Sequence, residues 1–130
     1  MISRSEWSIP EGSVEWIRLL CLEMGVENQF WLHRPYWQNL TRREMMTMTL
    51  VILRLRLRHE WTRTEMTSAL RMASSNFARY YNRGRALLAV DPIIERAFTK
   101  LEGHQAVEFL IVNWYVNFQV MFDQEGVAAE

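Results

Sequence analysis

Hydrophobic positions recur along most of this chain at helical spacing, and residues of capping type stand where the runs begin. Val14, Ile17, Cys21 and Met24 fall at offsets 0, 3, 7 and 10. That is one face of a helix that Ser13 can cap and Gly25 can end. Residues 29–33 suit a short helical turn stopped by Pro35, with Trp31, Tyr36 and Trp37 packing onto the core. Thr41-Arg42-Arg43-Glu44 is a capping box, in which the threonine oxygen and the glutamate carboxylate each satisfy an orphan amide. The helix it opens runs to about His59 with a stripe of Met46, Leu50, Leu53 and Leu57. Met45, Met48, Val51, Ile52 and Leu55 widen that stripe nearly all round, as expected of a central core helix. The alternation of leucine and arginine over residues 53–58 also suits a strand; the capping box and the longer period decide for helix. Arg54, Arg56 and Arg58 cluster in the last turns, where the helix dipole favours cations.

A second capping box, Thr62-Arg63-Thr64-Glu65, opens a short helix with Met66, Ala69 and Leu70 inward. A tight turn at Arg71-Met72-Ala73 follows, with Met72 inward and without the glycine many such turns use. A further helix then packs Phe77, Ala78 and Tyr81 inward and leaves Ser74, Ser75, Asn76, Arg79 and Arg83 facing out. Gly84 either ends it or weakens it. Asp91-Pro92 places an N-cap and an N1 proline before a stripe of Ile94, Ala97, Phe98 and Leu101, with Gly103 as its stop. The tail over 105–122 has two readings. As a helix, Val107, Leu110, Ile111, Trp114, Phe118, Met121 and Phe122 form one face, and Val112, Val116 and Val120 are left over. As a strand, the even positions 110–122 all point one way, and the aromatic and β-branched content favours it. A lone strand leaves its backbone unsatisfied, so helix is preferred, with a strand paired across a dimer as the alternative. The expected fold is a single all-α domain: a helical core over 13–101, the helix-turn-helix at 62–84, and an apolar extension over 104–122.

Charge changes this picture. The chain is neutral overall, but residues 1–41 carry three arginines and five glutamates, and residues 42–85 carry ten arginines and three glutamates. Residues 86–130 hold seven acids against one arginine and one lysine. A basic middle between acidic ends fits a polyanion-binding face. It coincides with two short helices joined by a tight turn, the device that puts a helix N-terminus into the DNA major groove. On that basis Arg63, Thr67, Ser74, Ser75, Asn76, Arg79, Asn82 and Arg83 are the candidate DNA-binding residues. Asn76 is suited to bidentate adenine recognition, and Arg63, Arg79 and Arg83 to phosphate.

With these residues placed, the chain resembles the Trp repressor family, and more loosely the C-terminal duplex-binding domain of bacterial replication initiators. The resemblance runs from about Val14 to Leu101. It includes Glu15-Trp16-Ile17-Arg18, Leu40-Thr41, then Glu60, Glu65, Leu70, Arg79 and Asn82, and ends with Pro92. It implies an all-helical, intertwined homodimer presenting two reading helices to a palindromic duplex. By position it places Ala73, Ser74, Ser75 and Ala78 near base edges, Arg63, Thr64 and Thr67 near phosphates, and Asn82 at a backbone contact. The tryptophan pocket of the family carries over only at Thr41 and Arg79. Its other arginine falls near residues 49–51, where none stands; Tyr80 replaces a glycine and Arg83 a serine. Tyr80 would fill the space of an indole, so no tryptophan corepressor is expected. The initiators' base-reading run corresponds to Ser74-Ser75-Asn76, so their operator is not inherited.

Other chemistry finds no motif. His33, His59 and His104 stand apart, without a cysteine or acid at ligand spacing. There is no phosphate-cradling glycine loop and no nucleophile elbow, so neither an enzyme nor a bound cofactor is expected. No apolar run long enough for a membrane span occurs, because Glu108, Asn113, Asn117 and Gln119 interrupt the best candidate. Ser5, Glu6, Ser8, Pro10 and Glu11 leave no apolar signal core. Cys21, the one cysteine, has no internal partner, which suits a reducing cytoplasm; its place on an apolar stripe makes it a small buried hydrophobe. The expected function is a sequence-specific regulator of transcription that binds double-stranded DNA as a homodimer, with Trp114 and Phe118 of the tail at the subunit contact. The alternative is a helical protein-interaction module or antagonist that keeps this fold without reading DNA.

Overall fold

Local chemistry sets the helix boundaries in the computed structural model, which describes residues 9–34, 37–90, 95–100 and 103–127. Six α-helices occupy those residues, with no strand among them: α1 (Glu11–Met24), α2 (Arg42–His59), α3 (Arg63–Ala69), α4 (Ser74–Val90), α5 (Glu95–Thr99) and α6 (Gly103–Gln124). A 3-10 turn at Phe30–His33 lies between α1 and α2. The fold is all-α. Both capping boxes form: Thr41 accepts from the Glu44 amide while the Glu44 carboxylate accepts from the Thr41 amide, and Thr62 and Glu65 repeat the exchange. Gly25 closes α1 in the left-handed conformation at φ 69°. The amides of Val26 and Gly25 return to the carbonyls of Cys21 and Leu22, a Schellman ending.

The helix α2 is the axis of the packing. It meets α1, α4 and α5, while α6 lies on α1 and α5 and α3 on α4. Every residue from Met46 to Leu55 is buried. Thr47 and Thr49 tolerate this because their hydroxyls donate back to the carbonyls of Arg43 and Met45, at 2.7 and 3.0 Å. Along α4 the helix continues through Gly84, so this glycine is no terminus. It is a point of close approach: a Cβ there would stand 2.5 Å from Cγ of Leu53. The segment over 105–122 is helical. Val107, Leu110, Trp114, Phe118 and Phe122 are buried, and Val112, Val116 and Val120 are 76%, 73% and 47% exposed.

Several expectations need correction. Ser13 does not cap α1, which starts two residues earlier behind Pro10; Ser13 is buried, and its hydroxyl lies 2.7 Å from Nε2 of His59. The buried face of α1 includes Trp16 and Leu20 beside Ile17, Cys21 and Met24, while Val14 is exposed. Gly103 opens α6 instead of stopping α5. Trp114 and Phe118 are covered by their own chain, in a ring ladder of Phe98, Trp114, Phe118 and Phe122, so neither is available to a subunit contact. Trp31 and Trp37 pack inward as expected. The expectations placed on Pro35, Tyr36, Asp91-Pro92, Ile94 and Leu101 lie outside the described residues.

Candidate nucleic-acid interface

The segment α3–turn–α4 is built from its first residues upward. Thr62 and Glu65 fix the start of α3. Its end wraps tightly, because the Met72 amide reaches back to the Thr67 carbonyl at 3.2 Å. That closure forces Arg71 into the left-handed region at φ 54°, the conformation for which glycine is usually chosen. Met72 is buried beneath the turn. Behind it, the Trp37 indole donates to the Leu70 carbonyl at 2.9 Å and meets the Tyr80 ring edge-on at 5.0 Å. Tyr80 therefore has an indole of its own chain as neighbour. Burial pushes its phenol above the usual range, against a smaller downward pull from Arg83 and Arg79.

The eight candidate residues separate into two groups. Ser74, Ser75, Arg79 and Asn82 are exposed. Ser75, Arg79 and Asn82 follow one another at helical spacing, so they share a face of α4. The other four are engaged to differing degrees. Arg63 donates to the Ser74 carbonyl at 2.9 Å and lies over the Phe77 ring, bracing the start of α4. The Thr67 hydroxyl donates to the Thr64 carbonyl. Asn76 is half-buried. Arg83 does not face out: its side chain is 10% exposed and paired with Glu125 at 3.0 Å, with its guanidinium over the rings of Phe122 and Tyr80. Glu125 shares a shallow depression with Arg79, Asn82 and Arg83, which places a carboxylate at that end of the face.

Other arginines of the basic block are also tied to their own chain, Arg54 and Arg42 buried and Arg56 and Arg58 exposed. Arg54 is 0% exposed and donates to Ser13 Oγ, the Phe98 carbonyl and the Gly12 carbonyl at 3.0, 2.9 and 3.1 Å. Arg58 donates to the Thr99 carbonyl. One turn apart on α2, these two satisfy the last carbonyls of the five-residue α5. Arg56 donates to the Trp61 carbonyl. Arg42 joins the start of α2 to the end of α6 through Asp123 at 2.6 Å, the Val127 carbonyl at 2.9 Å and Gln119 at 3.2 Å. The positive field of the block is thus partly spent inside the molecule. Two exposed cations that the sequence reasoning left out of the site adjoin it: Arg71 in the turn and Arg85 over the Tyr81 ring. Their place in the same basic run was the signal. Among the described residues no His, Cys, Asp and Glu cluster could hold a metal ion, and no helix is long and apolar enough to cross a membrane. No family model, curated protein or solved structure matches the chain.

Proposed function

We propose that this protein is a regulator of transcription that binds double-stranded DNA through α4. The observation that carries the reading is the exposed face of Ser75, Arg79 and Asn82, continued to the helix start by Ser74 and flanked by Arg71. Short hydroxyls at a helix start, with an amide about two turns further along the same face and cations beside them, are what base edges and phosphates require. The resemblance to the Trp repressor family points the same way through Ser74, Ser75 and Asn82. In this reading the protein works in the cytoplasm as a homodimer. The subunit contact is the valine seam of α6, because Val112, Val116 and Val120 are the large apolar groups this helix leaves in water. Trp37 against Tyr80 supports the expectation that no tryptophan corepressor is used.

Fluorescence anisotropy with a random duplex pool, followed by selection of bound sites, tests this. Binding should weaken steeply with salt, as phosphate contacts release counterions. Arg79→Ala should weaken all duplexes alike and lower the salt slope by about one unit, and Asn76→Ala should relax preference at one base pair. Val116→Glu should dissociate the dimer in sedimentation. Failure to bind any duplex at low salt would sink the DNA reading. The inward-turned arginines and the valine seam favour a second reading, a helical interaction module that docks on another protein; it then stands.

A further inference from the structure

Beside the turn between α3 and α4 the surface opens into a cavity of about 590 Å³, within the range of small-molecule sites. Trp31 and Met72, both buried, give it an apolar floor, and Leu32 and Ala73 form its sides. Its charged lining is Arg34 and Arg71, with His33 beside them and no acid among the described lining residues. The two arginines are not equally free. Arg34 meets Glu44 at 3.4 Å and His33 meets Glu27 at 3.9 Å. Arg71 forms no ion pair among the described residues, is exposed, and is held at φ 54°. A long cation kept in a strained backbone conformation at the mouth of an apolar cavity is the arrangement found at ligand clamps.

From this geometry we infer that the cavity binds a small aromatic carboxylate. A flat apolar ring lies against the exposed Leu32 and Ala73, over the edges of Trp31 and Met72 that reach the cavity. The carboxylate accepts from the Arg71 guanidinium, a planar fork matched to it. The inference stands whether or not α4 reads DNA.

Biphenyl-4-carboxylate is a suitable probe, with biphenyl-4-methanol as its neutral match and inorganic phosphate as competitor. Calorimetry on the full chain gives affinity, and amide NMR shifts locate the site. The expected result is saturable binding of the carboxylate below millimolar concentration, with shifts confined to residues 31–34 and 67–73. The alcohol should bind at least about tenfold more weakly, as should Arg71→Gly to the carboxylate, since a charge-assisted hydrogen bond is lost in each case. Ala73→Phe fills the cavity from an exposed position and should abolish binding while the melting temperature holds. Phosphate should not displace the probe. No saturable binding, equal affinity for the alcohol, unchanged affinity in Arg71→Gly, shifts elsewhere, or displacement by phosphate at equal concentration would each overturn the assignment.

Discussion

Replacing Gly84 by alanine sets two effects of opposite sign against each other at one carbon atom. In the interior of α4, alanine is favoured over glycine by about 1 kcal/mol. Against that, the new methyl would stand 2.5, 2.6 and 2.7 Å from Cγ, Cδ1 and Cδ2 of Leu53. Those distances fall well short of van der Waals contact, and all three branch atoms are involved, so rotating one methyl away does not relieve them. Leu53 is fully buried and has no solvent to swing into. Either α4 lifts from α2 or Leu53 leaves its rotamer, and overpacking of this kind costs typically about 1–3 kcal/mol, occasionally more. The expected net effect of Gly84→Ala is a loss of up to about 2 kcal/mol, or up to about 8 °C in melting temperature. Gly12 in α1 supplies the control, because a Cβ there meets nothing within 4 Å. Gly12→Ala should raise stability by up to about 1 kcal/mol. Urea melts of the two single variants, of Leu53→Ala and of Gly84→Ala/Leu53→Ala complete the cycle. Leu53→Ala alone should cost about 2–5 kcal/mol. The double variant should be more stable than the sum of the singles by about 1–3 kcal/mol, since the space Leu53 vacates accepts the new methyl. A Gly84→Ala protein that gains stability as Gly12→Ala does, or a cycle without coupling, would refute the close-approach argument.

Three other outcomes follow from geometry already given. Arg83→Ala should lower stability by about 1–2 kcal/mol through lost packing on Phe122 and Tyr80, with the ion pair to half-exposed Glu125 contributing little; if duplex is bound, its salt slope should stay unchanged, in contrast to Arg79→Ala. Arg71→Gly should gain up to about 1 kcal/mol, because relief of left-handed strain, roughly 1–2 kcal/mol, exceeds the added chain entropy; a fall in melting temperature would show that Arg71 is not strained. Burial pushes the Cys21 thiol from 9.0 up to about 11. The unfolded chain therefore releases this proton first, and stability present below pH 9 is lost as pH rises through about 11. Urea melts at pH 8 and pH 10.5 should show a drop that Cys21→Ala reduces, and iodoacetamide should label the thiol only after denaturation.

What could be read in the chain was what chain neighbours decide. Both capping boxes, the glycine ending of α1, inward Met72 and the three valines left over from a helical tail needed only a few adjacent residues, and each is present. The destinations of the arginines were not legible. Arg54 serves carbonyls 42 and 44 positions away, and a carbonyl acceptor carries no mark in the sequence, since every residue has one. The block of ten arginines therefore looked more like an outward face than it is. Arg83 belonged to the candidate DNA face by helical phase alone; its retreat depends on Glu125, 42 positions further on. Gly84 was ambiguous for the same reason, because its meaning lies in Leu53 across a helix crossing. On α1, a seam of 14, 17, 21 and 24 and one centred nearer Trp16 and Leu20 fit the pattern comparably; α6, distant in sequence, lies on the helix and covers part of its face.

The grip of Arg42 on Asp123 spans 81 positions, and that of Arg83 on Glu125 spans 42. A ribosome adding about 5–20 residues each second delivers those carboxylates about 4–16 s and 2–8 s after their arginines. Through that interval the nascent chain holds two guanidiniums whose acidic partners have not been made. The faces of α1 and α5 that α6 will cover wait with them. The helix α6 can thus dock only after α1 to α5 have been made. A message cut short before Gln119 would yield a chain that lacks Phe122, Asp123 and Glu125 together, with an open apolar face for chaperones and proteases to find.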